Sequence, residues 1–144
     1  MNASSREQVT TFEGGCYCGQ IRYVAEGEPI LRAQCHCREC QYISGGGPQL
    51  FLLMPPNGFS YTKGTPKQFS RTDLEHPVTR EFCAECGTHM VTRRPDLAAV
   101  ILKIGTLDNP RLFESPQMAI FTVDKQPFHH IPEGLPSFER MPQR

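Results

Sequence analysis

The chain has 144 residues, 38% of them hydrophobic and 21% charged, and its 15 Lys and Arg balance its 15 Asp and Glu. That length suits one domain with a real core, and the missing cationic excess argues against a protein that holds nucleic acid by neutralising phosphates. The longest apolar stretches, residues 50–54 and 98–102, are far too short to cross a bilayer.

Residues 1–10 carry no apolar run, so no signal peptide is expected and the protein is expected to be cytoplasmic, with neither a membrane nor a nucleic-acid partner. Seven cysteines are present. Their odd number, their short chelating spacings and the reducing compartment favour thiols that hold metal over disulfides.

In chain order, residues 1–11 are expected to be a tail, and residues 12–144 a single domain. Strand character over residues 9–12 runs into Gly14-Gly15, and Cys16-Tyr17-Cys18-Gly19 follows as a first pair of thiols. Residues 20–25 alternate, with Ile21, Tyr23 and Ala25 on one face, which predicts a half-buried strand. A turn at Gly27-Glu28-Pro29 and a short strand over 30–34 lead to Cys35-His36-Cys37-Arg38-Glu39-Cys40, three thiols within six residues. One helical turn is predicted over 39–44, and Gly45-Gly46-Gly47-Pro48 must stop it, as a plain connector or as a ligand-facing loop. Short strands are predicted over 49–54, 59–62, 67–71 and 78–82, before a second C-x-x-C at Cys83-Ala84-Glu85-Cys86-Gly87. Two more follow over 88–93 and 99–104, then one over 118–123 in a proline-rich C-terminal part. The whole predicts an all-β or mostly β domain.

Closed four-thiolate zinc sites are structural, whereas catalytic zinc keeps three protein ligands and one open position. Seven is four plus three. Joining Cys16 and Cys18 to Cys83 and Cys86 leaves Cys35, Cys37 and Cys40 as a trio and uses every cysteine. A zinc ribbon of Cys37, Cys40, Cys83 and Cys86 is the other partition, and spacing alone does not choose. Gly19 and Gly87, each following a ligand, let the backbone bend around sulfur, and Arg38 is either a counter-charge at the trio or a solvated surface residue. A thiol entering an open position would be deprotonated by the ion and poised to attack a carbonyl carbon. Alternatively His36 fills that position, both zincs are structural, and the domain is a non-catalytic module for a protein or peptide partner. His89 is a core residue or a neighbour of the closed site, His129-His130 is a half-exposed pair or a proton donor near a pocket, and His76 is a turn residue.

The three cysteine motifs, Gly15-Cys16-Tyr17-Cys18-Gly19, Cys35-His36-Cys37-Arg38-Glu39-Cys40 and Phe82-Cys83-Ala84-Glu85-Cys86-Gly87-Thr88, together resemble the glutathione-dependent formaldehyde-activating enzyme family. Its domain also occurs in centromere protein V. Leu135-Pro136-Ser137-Phe138 resembles the family's C-terminal segment. The resemblance implies a β-tent fold of several small antiparallel sheets around two Zn²⁺ ions. It implies a structural zinc on Cys16, Cys18, Cys83 and Cys86, and a catalytic zinc on Cys35, Cys37 and Cys40. It also implies carbon-sulfur lyase activity on a small thiol adduct, glutathione with formaldehyde or a similar carbonyl compound. Phe128 stands about where family members often carry tryptophan, as a core filler or a pocket residue.

Overall fold

The computed structural model describes residues 10–142. The expected tail lies outside the described residues up to residue 9, and its last residue, Thr11, already belongs to a strand. Ten strands follow in chain order: β1 (Thr11–Gly15), β2 (Arg22–Glu26), β3 (Leu31–Cys35), β4 (Gln49–Met54), β5 (Phe59–Lys63), β6 (Lys67–Phe69), β7 (Thr79–Phe82), β8 (His89–Arg94), β9 (Leu97–Lys103) and β10 (Met118–Ile120). Among the described residues the one α-helix is α1 (Arg38–Ser44), so the protein is mostly β.

Two sheets form. β1, β2 and β5 pair in that order, and the other seven strands pair in the order β10-β3-β4-β9-β8-β7-β6. All neighbours are antiparallel except β10, which runs parallel to β3.

The period-2 alternation of the strands decides what each face covers. From the small sheet, Phe12, Tyr23 and Ala25 point inward. From the large sheet, Leu52, Met54, Val91, Val100 and Leu102 meet them in one core, which also holds Cys16 and Cys83. Each of the large apolar side chains so buried adds about 2 kcal/mol. The alternate residues of the large sheet face the other way, where Ala33, Cys35, Phe51 and Ile120 make a second, smaller cluster with Cys40.

Gly14 marks where the small sheet meets the turn after β9. A Cβ there would collide with the Thr106 carbonyl and the Tyr23 hydroxyl, which is itself bonded to the Thr106 hydroxyl at 2.6 Å. Only a bare backbone fits.

After β10 the chain turns at Phe121, a non-glycine residue in the left-handed region (φ 56°). It then loops and returns along β10, where Phe138 N–H donates to the Ala119 carbonyl at 2.9 Å. The intervening loop carries His129 over the Cys35–Cys40 segment. No helix among the described residues is long and apolar enough to cross a membrane.

Candidate metal centre

The seven cysteines are free thiols, and their sulfurs gather in two groups. Cys16, Cys18, Cys83 and Cys86 form one; Cys35, Cys37 and Cys40 form the other; within each group the sulfurs lie within 4.8 Å of one another. The ribbon set of Cys37, Cys40, Cys83 and Cys86 is not brought together.

Two matching turns build the group of four. Cys16 leaves β1, and Cys83 leaves β7. Gly19 N–H closes the first turn on the Cys16 carbonyl at 3.1 Å, Gly87 N–H closes the second on the Cys83 carbonyl at 2.8 Å, and both glycines are left-handed (φ 83° and 80°). The turns are laced together where Tyr17 N–H donates to the Thr88 hydroxyl at 3.0 Å.

Backbone N–H groups point at sulfur. Ile21 donates to Cys16 Sγ at 3.2 Å, and Glu85 and Cys86 donate to Cys83 Sγ at 3.4 and 3.5 Å. Such donors favour thiolate, and the Thr88 hydroxyl beside Cys86 holds that thiol down to about 5. Cys16 lies 3.6 Å from Cys18, and Cys18 lies 3.7 Å from Cys83, sulfur to sulfur. Tetrahedral Zn–S bonds of about 2.3 Å put sulfurs about 3.8 Å apart, whereas a disulfide needs about 2.05 Å. The donor set fits a divalent metal. Because Cys16 and Cys83 are core residues from different sheets, an ion here would clasp the two sheets.

The trio is built by a strand end and a helix start. Cys35 is the last residue of β3, and Cys37 is the N-cap of α1, its sulfur accepting from Cys40 N–H at 3.3 Å. Cys40, one turn on, faces back toward them. The Cys35 and Cys37 thiols turned toward it hold Cys40 down to about 3, while the same crowding pushes Cys35 far up. Three thiolates this close cannot coexist without a cation. The trio also fits a divalent metal, and no fourth His, Cys, Asp or Glu joins it among the described residues.

His36 is excluded as that fourth donor by its own hydrogen bonds. It is fully buried, its Nδ1 lies 3.1 Å from His129 Nδ1, and its Nε2 lies 2.9 Å from Gln34 Nε2. The tautomers follow from the ends of the chain. Gly46 O can only accept, so His129 Nε2 (2.7 Å away) carries a hydrogen. His129 Nδ1 is then the acceptor, taking Gln126 N–H at 3.1 Å and the Nδ1–H of His36. His36 Nε2 is left to accept from the Gln34 amide. Both rings are neutral, both are fully engaged, and together they tie Gly46 to the trio's backbone.

This network was not legible in the sequence, where His129 reads as half-exposed; it is 6% exposed. The only local signal was a histidine enclosed by two thiols, and its partner lies 93 residues away. Phe128 is not a core filler, being 73% exposed and set edge-on against His129. Arg38 is exposed, donates to Gln41 Oε1 and lies over the Tyr42 ring at 4.9 Å, so it packs on its own helix.

His89 is largely buried near Lys103 and Arg80. Its Nε2–H donates to the Val91 carbonyl at 3.0 Å with the Thr92 hydroxyl 3.2 Å away, and its Nδ1 is without a partner among the described residues. Burial, then the charges of Lys103 and Arg80, hold its pKa down to about 3, against upward pulls from the hydrogen bond to Val91 and from Glu81. The folded value lies below the ordinary 6.5, so the folded chain binds fewer protons. The stability due to neutral His89 is therefore complete above pH 6.5 and is lost as pH falls toward 3. His89→Phe is expected to flatten the fall of the denaturant midpoint between about pH 7 and pH 5. An unchanged slope would place the acid sensitivity in other groups.

The family model described as "Glutathione-dependent formaldehyde-activating enzyme" matches residues 11–124. The match includes both cysteine groups and stops before the C-terminal segment. No match is found among curated proteins. Among solved structures, the crystal structure of a Rhodobacter sphaeroides protein is similar, with a TM-score of 0.54 and 16% identity over 72% of this chain and 96% of that one. That likeness concerns the fold. The family match spans most of the chain, and the protein belongs to the glutathione-dependent formaldehyde-activating enzyme family.

Proposed function

We propose that the chain is a zinc enzyme of the carbon-sulfur lyase type, acting on the adduct of a small thiol, such as glutathione, with formaldehyde or a similar carbonyl compound. The observation that carries this is the trio of sulfurs, within 4.8 Å of one another and joined by no fourth protein donor. Cys35, Cys37 and Cys40 would hold a catalytic Zn²⁺, and Cys16, Cys18, Cys83 and Cys86 a structural one. The working unit would be a single domain over residues 12–144 in the cytoplasm.

A zinc ion held by three thiolates supplies an open coordination position and the Lewis acidity that ionises an incoming thiol. In the forward direction the thiol loses its proton, its sulfur bonds to the carbonyl carbon, and the carbonyl π pair moves to oxygen and takes up a proton. The reverse breaks the same carbon–sulfur bond and returns both products.

The protein's own part is positional. The helix cap at Cys37 fixes two of the three sulfurs through the Cys40 N–H bond. Gln41, buried in α1, donates to both the His36 carbonyl and the Asp124 carbonyl at 2.9 Å, which locks the segment in place. His129 holds Gly46, so the glycine loop that flanks α1 is fastened rather than loose. A left-handed Gly45 and Gly46, with no neighbour where a Cβ would stand, leave that loop open to an approaching thiol.

Exchange NMR with ¹³C-formaldehyde and glutathione tests the reading. Purified protein is expected to raise the rate of adduct exchange at least about tenfold over buffer. A rate equal to that of buffer would contradict it and favour a zinc module that binds a partner.

A further inference from the structure

Lys103 is a buried cation that the fold does not pair with a carboxylate. It ends β9 and is 6% exposed. The ion pairs among the described residues join Arg22 to Asp108, Arg71 to Asp73, Arg93 to Glu81 and Arg94 to Asp96, and none includes Lys103 or Arg80. Glu81, the buried acid of this sheet, is already occupied by Arg93 at 2.7 Å, Tyr61 at 2.6 Å and Gln68 at 2.9 Å.

The strand register shows what Lys103 faces instead. Directly paired residues of a sheet project from the same face. Phe51 pairs with both Lys103 and Ala33, and Cys35 stands two residues beyond Ala33 on β3. Lys103 and Cys35 therefore project from one face, the one that bears the trio, with Cα atoms roughly 12 Å apart by strand spacing and rise. Arg80 pairs with Thr92, and Thr92 with Ile101, two residues before Lys103. It adds a second, half-buried cation to that face. Glu81 alternates to the opposite face, among the core side chains.

Burying an uncompensated charge is costly, so Lys103 needs an anion, and the sulfurs are the ones at hand. Burial, and then the charge of Arg80, hold Lys103 down to about 8, while Cys40, Cys35 and Cys37 pull it upward. Counted against a divalent ion, three thiolates leave a net charge of about −1, and an added thiolate makes it about −2. A neutral fourth ligand adds nothing. Two cations on this face match the charge of about −2 that an added thiolate gives.

Resting on the proposed function, we propose that Lys103, backed by Arg80, is a positioning residue that makes the three-cysteine site prefer an anionic sulfur over a neutral donor as its fourth ligand. The pair acts through charge and need not touch the rest of the thiol compound.

The test uses the full chain loaded with Co²⁺ and titrated, in the visible spectrum, with 2-mercaptoethanol, with glutathione and separately with imidazole. Lys103→Met is expected to weaken mercaptoethanol binding at least about tenfold and imidazole binding less than about twofold. Lys103→Arg should restore most of the loss, and Arg80→Gln should shift mercaptoethanol alone, by about threefold. Equal weakening of both ligands, or of neither, would overturn the proposal. So would a loss confined to glutathione that spares mercaptoethanol, which would make Lys103 a carboxylate contact. Should Lys103→Met fail to fold, Arg80→Gln decides, and unchanged mercaptoethanol binding there overturns the proposal. Wild-type protein whose spectrum responds to neither thiol would overturn both this inference and the function on which it rests.

Discussion

Cys83→Ser is expected to abolish the cooperative fold, or to lower its stability by about 5 kcal/mol or more, an amount comparable to the whole stability of a small domain. Cys83 is 1% exposed, its sulfur accepts from two N–H groups, and it lies in the core between the sheets. Serine there would keep the shape of the side chain in a smaller volume but lose the thiolate, leaving three sulfurs to hold an ion that is proposed to clasp both sheets. Circular dichroism and a thermal scan would show the loss. A variant as stable as wild type would mean that hydrophobic packing alone holds the sheets together, and that the group of four has no structural role.

Cys37→Ser is expected to do the opposite. The fold should stay within about 1 kcal/mol of wild type, since a serine N-cap is at least as good as a cysteine one and Cys37 is only half-buried. Metal content should fall from two ions to one, and adduct exchange should drop about a hundredfold or to the rate of buffer. Metal analysis beside exchange NMR separates the two effects. Equal unfolding of the Cys37 and Cys83 variants would contradict the division of labour between the sites.

The sequence exposed what is local. The apolar run over residues 49–54 is β4 to the residue, and the alternation that put Ile21, Tyr23 and Ala25 on one face matches their burial at 3%, 1% and 0%. Dense thiol spacing announced the three chelating turns, because such a turn needs only neighbours in sequence, but not that the first closes on the third, Cys16 and Cys18 with Cys83 and Cys86. The predicted helical turn is α1, stopped by left-handed Gly45.

What the sequence hid is non-local. Nothing in Met118–Ile120 says that it runs parallel to β3, and without that pairing the return of the C-terminal segment cannot be foreseen. The strand expected over residues 118–123 ends early for the same reason: Phe121 turns left-handed, and a 3-10 turn follows over Thr122–Asp124. The meeting of His36 with His129, and of Lys103 with the trio, depends on that topology. A lone histidine or lysine carries no periodic signal that would reveal its partner.

The measurement that tests the central claim most directly is zinc content per chain on protein purified under reducing conditions, followed by the zinc X-ray absorption spectrum with and without glutathione. Two zincs per chain, with mean sulfur coordination rising from about 3.5 to about 4 when glutathione is added, is the result expected of one closed and one open site. Two zincs whose coordination does not change would mean that both sites are closed, and the enzyme reading would fall.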